Sequence, residues 1–524
     1  MTAGAPPQLL ALHRRLGLLA FIGAVLWPGA GIVYSVLVNL QPKPAAAAAQ
    51  PLPGLDAARP PAEVLASRGI DRVAGIRIVG LRGQPFYQVD RFWAVDGTKA
   101  SAPAIEDASA VSSAPAGASS REYIDARSAM PLADGDRLYA QQLAAQAIGD
   151  PVRRIASARR VAAFDLEYPR VNRILPVWRI EFAGGLRVFV DTGAGRVVTL
   201  IDDREALRNR VFGWMHRWEW LEGEHPRIRM TILFVLLASV IVSTGCGATL
   251  MLTRRVSPQP TWTLRRIHRT MGIVLVLAAH VFASSGMYHL LHFGLRGDPA
   301  LRGQVSPPPI DTAGVLMLPA IDAITTRSMM LVDVAGQPAW RIEKTIAGEA
   351  TTSSASPSSA ADCRDRIDPG IEYVSARDGA ALPGGERLYS IQFALRATGG
   401  QAAPVCVQTI TRHDTEYGVL YRRLPVNRIV LADGRHVFLD ARAATIAAVT
   451  TPADRSESWV FYTIHRWGWL LRWVGPIGRD IIVAMLALGI LLTAVLGVTL
   501  LIRHWLANPP ARPQEPPAQR VGDA

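Results

Sequence analysis

Residues 122–149 read EYIDARSAMPLADGDRLYAQQLAAQAIG, and residues 372–399 read EYVSARDGAALPGGERLYSIQFALRATG. In the first copy the pattern predicts a strand followed by a helix that opens near Asp136. The copying extends in both directions. LPVWRIEFAGGLRVFVDTGAGRVV at 175–198 returns as LPVNRIVLADGRHVFLDARAATIA at 424–447, and MHRWEWL at 215–221 returns as IHRWGWL at 464–470. LHRRLGLLAFIGAV at 12–25 returns as IHRTMGIVLVLAAH at 267–280. Self-similarity on this scale marks an internal duplication and sets the architecture before any single residue is weighed. VWRIEF, LRVFVD and RVVTL, separated by GG and TGAG, predict antiparallel strands joined by turns, so each copy reads as a small α+β module.

The flanks of the modules are apolar. Four stretches, Leu16–Leu40, Met230–Leu252, Thr270–Leu295 and Ile481–Ile502, contain no Asp, Glu, Lys or Arg. Each supplies the roughly 20 apolar residues that a bilayer-crossing helix needs. The first is too long for the apolar region of a cleaved signal peptide, and its kinship with the third span predicts that it stays. The 524 residues are 49% apolar and 19% charged, with a mean hydropathy of +0.18, which excludes a disordered chain. The net charge of +13 comes from scattered Arg without a sustained basic run, so nucleic acid is not an expected partner.

Charge also orients the spans. The N-terminal tail holds Arg14 and Arg15, and the loop 253–269 holds Arg254, Arg255, Arg265, Arg266 and Arg269, neither with an acid. The positive-inside rule places both in the cytoplasm, with N and C termini inside. The expected order is a tail (1–15), span one (16–40), an outer module (41–227), span two (230–252) and a cytoplasmic loop (253–269). Span three (270–295), a second outer module (296–478), span four (481–502) and a tail (503–524) follow. Each half is then a span, a module and a span, repeated in parallel about a pseudo-two-fold axis along the membrane normal. Each outer segment is long enough for its own core and is periplasmic if the cell is Gram-negative. The tracts 42–54, 99–120 and 351–361 read as loops or linkers.

Three cysteines exclude a disulfide scaffold, and no CxxC or CxxCH is present for zinc or covalent haem. Cys246 lies in a span; Cys363 and Cys406 share an outer segment and either pair or remain two thiols. HExxH, Walker A, GxSxG and a GxGxxG after a strand are absent. The matched carboxylates Glu167 and Glu416, and Asp191 and Asp440, are expected to serve turns and module packing.

Of eleven histidines, four fall into matched pairs: His13 with His268 at the cytoplasmic ends of spans one and three, and His216 with His465 just outside spans two and four. The symmetry axis faces matched residues, and two neutral imidazoles from facing helices are a common axial set for an electron-transfer haem. One haem near each membrane face makes a relay. The alternative is that these histidines are interfacial anchors. His280, about 18 Å along its helix from His268 and opposite Val25, is either an unsymmetrical ligand or a neutral group bonded to a hydroxyl such as Ser243 or Thr244. His289 and His292 are expected in interfacial packing. His225, His413, His436 and His504 show no partner and are expected at the surface. Trp214, Trp218, Trp220, Trp467, Trp469 and Trp473 suit an interface and offer rings to wall a macrocycle.

LPVWR…FVDTGAGRV after a short helix, HR-x-x-G opening spans one and three, and a His-containing segment before spans two and four carry a family resemblance. Over residues 10–505 the chain resembles inner-membrane proteins with PepSY modules between PepSY-associated transmembrane helices. That resemblance implies an iron-uptake role and, in some members, ferric-siderophore reduction with b-type haem. The second module departs from the pattern, with Asn427 in place of Trp178 and ARAAT in place of DTGAG, and reads as a degenerate unit. The resulting expectation is a bacterial inner-membrane protein with two b haems that passes electrons to a periplasmic ferric chelate. The cytoplasmic loops are too short for a flavin or nicotinamide domain, so the donor is quinol, a small reductant or a separate reductase, and lipid surrounds the spans. The competing expectation is a non-enzymatic PepSY scaffold or sensor that binds a periplasmic partner or regulates a protease.

Overall fold

The computed structural model describes residues 7–42, 55–91, 121–150, 153–221, 226–253, 263–314, 317–320, 322, 325–345, 363–418 and 420–507. The linkers at 43–54, 99–120 and 351–361, the middle of the cytoplasmic loop and His225 lie outside them. Contacts divide the chain into a helical unit (Met1–Val36, Trp214–Leu290, Thr463–Ala524) and a sheet unit (Leu37–Gly213, Leu291–Tyr462). The helices are α1 (Pro7–Leu37), α2 (Pro61–Ala66), α3 (Gly135–Ile148), α4 (Asp203–Val211), α5 (Pro226–Thr253), α6 (Leu264–Arg296), α7 (Gly385–Thr398), α8 (Pro452–Trp459) and α9 (Leu471–Ala507). The strands are β1 (Arg72–Leu81), β2 (Gln84–Arg91), β3 (Arg121–Asp125), β4 (Ile155–Val161), β5 (Val177–Phe182), β6 (Arg187–Asp191), β7 (Arg196–Ile201), β8 (Ile310–Asp311), β9 (Thr326–Val334), β10 (Gln337–Lys344), β11 (Ile371–Ser375), β12 (Pro404–Ile410), β13 (Val426–Leu431), β14 (His436–Asp440) and β15 (Thr445–Thr450).

In the helical unit, α1, α5, α6 and α9 are long and apolar enough to cross a membrane, and they carry the spans read from the sequence. Their outward faces are hydrocarbon: Val274 is 70% exposed, Leu277 72% and Met485 59%. Apolar surface on that scale needs a lipid solvent. Inside, Ala20, Leu237, Val240 and Ala283 pack together beside a second cluster of Trp218, Leu233 and Leu236. Near its start α9 breaks at Gly475, whose φ of 68° suits glycine, and Pro476 then removes a helical donor.

The sheet unit is built on two hairpins. β1–β2 turns through Arg82–Gly83 and β9–β10 through Ala335–Gly336, all four residues at positive φ, as a two-residue type I′ turn requires. The sheet order is β11-β10-β9-β1-β2-β3, with β8 added beside β1. At its centre β1 pairs antiparallel with β9 and Arg77 faces Met330, which hold corresponding positions in the two hairpins. A local two-fold therefore passes between them. The outer segments, expected to carry separate cores, share this sheet and one cluster of Val73, Ile76, Tyr87 and Val89 with Leu331, Trp340 and Ile342. Alone, β1 and β9 would each be an open edge; pairing them satisfies both rows of backbone groups.

Each copy continues into a four-stranded antiparallel meander, β4-β5-β6-β7 or β12-β13-β14-β15, with α3 or α7 against it. The strands expected from VWRIEF, LRVFVD and RVVTL are β5, β6 and β7. α3 and α7 open on Gly135 and Gly385, where a Cβ would lie 2.5 Å from Tyr123 Cβ or 2.4 Å from Tyr373 Cγ. The second copy is not degenerate in its bonding. Trp178 Nε1 donates to Asp136 Oδ2 at 2.5 Å, and Asn427 Nδ2 donates to Glu386 Oε1 at 2.5 Å, the shorter donor meeting the longer carboxylate.

The recurring carboxylates serve packing. Glu167 takes Arg179 (3.4 Å) and Arg187 (2.9 Å), whereas Glu416 takes His436 (2.9 Å) and Thr450 Oγ1 (2.6 Å). Cys363 and Cys406 form a disulfide. Several histidines expected at the surface are engaged. His436 is 5% exposed on Glu416, His413 stacks on Tyr417, and Arg14 Nη1 donates to His504 Nε2 at 3.0 Å. His292, expected in interfacial packing, is buried in the sheet unit on Asp454 (2.8 Å), which Arg302 also binds. Each such partner comes from a distant point of the chain or a fold-specific turn, so local sequence gave no sign of it.

Candidate functional site

Regular helix places the first pair. His13 lies on α1 and His268 on α6. His13 Nδ1 is 3.0 Å from the Ser243 carbonyl on α5, and His268 Nδ1 is 3.0 Å from the Thr493 carbonyl on α9. A carbonyl only accepts, so Nδ1 carries a proton in both rings, and in the neutral form the lone pair sits on Nε2. Glycine makes room on each partner helix. A Cβ at Gly247 would come within 3.4 Å of His13 Cε1, and one at Gly497 within 3.0 Å of His268 Cε1.

Of the two roles open to His280, a hydroxyl bond is present, with Thr244 Oγ1 at 3.3 Å. That hydroxyl lies 2.8 Å from the Val240 carbonyl and 3.0 Å from that of Ile241 as donor, so it accepts from the imidazole.

The second pair stands on irregular backbone. Phe212–Arg217 and Val460–His465 are π-helical turns, a form that recurs at functional sites, and they carry His216 and His465. Trp218 and Trp467 follow at φ 54° and 53°, a conformation that costs a bulky residue about 1–3 kcal/mol. The same strain recurs at matched positions in both halves. The two imidazole rings lie 6.5 Å apart, centroid to centroid, with planes at 70°. His465 Nδ1 is 2.9 Å from Ser285 Oγ, which donates to the Val281 carbonyl at 2.6 Å. The serine therefore accepts from Nδ1–H, and Nε2 again keeps its lone pair. Trp27 Nε1 donates to the His216 carbonyl at 3.2 Å. Burial, aided by neighbouring positive charge, pushes His216 down to about 4 and His465 to about 3, so both rings are neutral at pH 7. The ring of Phe282 stands 6.0 Å from His465 and 5.7 Å from Trp467.

The spacing of His216 and His465 fits a metal held by two imidazoles, as in a b-type haem. Metal–imidazole bonds of about 2.0–2.1 Å put the centroids of two rings on one metal roughly 6 Å apart, and ring planes around a common axis take any mutual angle. The 6.5 Å separation meets that spacing. His13, His268 and His465 carry a proton on Nδ1, which leaves Nε2 as the ligating nitrogen of the neutral ring.

The sequence reading named the four paired histidines and His280. It missed Ser285, Thr493, Gly247 and Gly497, which support them, and the π-helical turns that carry the outer pair. Ser243 with Thr493, and Gly247 with Gly497, are matched positions once spans two and four are aligned, and that alignment was the available signal. No protein-family model matches the chain, and no curated protein matches it.

Proposed function

We propose that the chain is a haem-binding electron-transfer protein of a bacterial inner membrane that reduces a ferric chelate, such as a siderophore complex, on the periplasmic side. The reading rests on one observation: four histidines, paired by the duplication, lie in the helical unit, with Nδ1 of three of them bonded to an acceptor on another element. His13 and His268 would hold one b-type haem, and His216 and His465 the other. When bound, haem supplies a one-electron carrier at each level of the relay. The chain's own groups do the rest. The Ser243 and Thr493 carbonyls and the Ser285 hydroxyl orient the rings and raise the basicity of Nε2. Apolar helix faces exclude water, and the matched π-helical turns hold the outer rings at their spacing.

Hydroxamate and catecholate oxygens suit the small, highly charged Fe(III), and one electron delivered to such a chelate weakens its hold on the metal. The arginine-rich cytoplasmic loop supports entry of electrons from the inner side, from quinol or a separate reductase. The strand-helix-meander copies add to the PepSY resemblance.

Detergent-purified protein, oxidised and then reduced with dithionite, tests the proposal by its optical spectrum and pyridine-haemochrome content. Two b haems per chain are expected. His13→Ala or His268→Ala removes one, and His216→Ala or His465→Ala removes the other. No Soret band after expression with ample haem ends this reading and leaves the PepSY scaffold that binds a periplasmic partner.

A further inference from the structure

Among the described residues, one buried charge of the sheet unit has no carboxylate as a hydrogen-bond partner. Arg77 sits at the centre of β1 on the local two-fold, 6% exposed, and Met330 holds the corresponding position across the pair. Its Nη1 donates to Ser328 Oγ at 3.0 Å, and its Nη2 donates to Met330 Sδ at 3.4 Å and to the Arg442 carbonyl. All three acceptors are neutral. Its Nε–H is buried and meets no acceptor among the described residues. A buried guanidinium keeps its charge, and burying that charge without an anion is costly.

The neighbouring carboxylates are committed elsewhere. Asp90 takes Arg121 Nε at 2.8 Å, and Glu343 takes Arg442 through Nε at 2.8 Å and again through Nη2. Asp333 is held at its hairpin by the Gly336 amide (3.1 Å) and Gln392 Nε2 (3.0 Å).

Arg77, Arg121 and Arg442 converge on one cavity, which Gln88 and Tyr389 also line. It opens to ≈ 80 Å³, room for an anion of a few heavy atoms and too little for a whole metal chelate. Burial pushes the Tyr389 phenol well above its ordinary value, so it stays a donor. We propose that this cavity binds a small oxyanion, a carboxylate or a phosphate, that bridges the two copies of the sheet unit across their local two-fold. Arg77 from the first copy and Tyr389 and Arg442 from the second would close on it. The geometry suits Arg, whose planar fork binds such groups through two N–H donors at once. The inference is independent of haem.

The test uses the full chain in detergent, with ionic strength held constant by chloride, and follows thermal unfolding of the sheet unit as phosphate or acetate is added. Wild type is expected to gain about 2–4 °C in midpoint, saturating with one of the two anions. Phosphate as the effective arm assigns a free phosphoryl oxyanion, and acetate assigns a carboxylate. Arg77→Met, which copies the residue across the two-fold, is expected to raise the midpoint without added anion and to abolish the response. Tyr389→Phe keeps the volume, removes one donor and is expected to weaken the anion about tenfold. The proposal is overturned if neither anion shifts wild type, or if Arg77→Met or Tyr389→Phe responds as wild type does.

Discussion

In the first half of the chain Trp178 reaches Asp136 and Arg187 reaches Glu167; in the second, Asn427 reaches Glu386 and His436 reaches Glu416. The sheet unit thus keeps the same bonds with different residues. The paired histidines behave in the opposite way. At the inner pair both residue and bond are retained, because each imidazole rests on a backbone carbonyl that no mutation of Ser243 or Thr493 removes. At the outer pair the residues and a backbone contact, His216 with Trp27 and His465 with Phe282, are retained, and one side-chain bond is not. Ser285 holds His465, but Ala30 occupies the equivalent place in the first half. Support from backbone survives duplication and drift, whereas support from a side chain is free to diverge. The inner site should therefore act as a symmetric pair and the outer site as an unsymmetrical one.

The largest difference between the halves lies in a buried carboxylate. Asp440 is fully buried between Arg196, from the first copy, and Arg423 at 3.1 Å, while its counterpart Asp191 ion-pairs with Arg196 at 3.1 Å and with no second arginine among the described residues. Asp440→Asn leaves two guanidiniums short of a counter-charge, and a loss of about 3–5 kcal/mol of sheet-unit stability in urea titration is expected. Asp191→Asn is expected to cost less; an equal loss would erase the distinction. The two arginines, against the opposing effect of burial, hold the Asp440 carboxyl down to about 2. A depressed carboxyl contributes its stability fully above the unfolded value of about 3.9 and loses it as pH falls through the folded one. Wild type should therefore soften between about pH 4 and pH 2, and Asp440→Asn should be less sensitive across that window.

The inner pair offers a finer break. A Cβ at position 497 meets His268 Cε1 at 3.0 Å, a closer approach than the 3.4 Å at position 247. Gly497→Ala must displace the ring or the helix, at about 1–3 kcal/mol for an overpacked contact, and Gly247→Ala should be nearly silent. Thermal unfolding and the haem retained after gel filtration measure both. Equal effects would mean that the two rings have equal room and that the second half is no tighter than the first.

Much of this organisation was legible in the sequence, and the remainder has a physical reason for being hidden. The spans announce themselves by hydropathy and the modules by copying, and β5, β6 and β7 are marked off by the turns at GG and TGAG. The hairpins β1–β2 and β9–β10 escaped because Arg82 and Ala335 occupy turn positions where Asn or Asp is the usual signal, although GQP recurs after both turns. The shared central sheet escaped for a different reason: pairing of Arg77 with Met330 is a contact between distant copies that no local pattern encodes. The four paired histidines were visible through symmetry alone. Their supports were not, because a carbonyl acceptor carries no residue identity and a π-helical turn has no sequence signature of its own.

The smallest and most selective prediction concerns Ser285. Ser285→Ala removes one acceptor from His465 Nδ1–H and leaves the ring in place, at a cost of about 1 kcal/mol. Without that bond Nε2 becomes a weaker electron donor, which favours the reduced metal, so the midpoint potential of the outer haem should rise while that of the inner haem stays fixed. A spectroscopic redox titration resolves the two. Ala30→Ser, its mirror in the first half, offers His216 a hydroxyl and should move the outer potential in the opposite direction. If Ser285→Ala shifts both haems equally, the serine acts through the helical unit as a whole, and the contrast between a symmetric inner pair and an unsymmetrical outer pair fails.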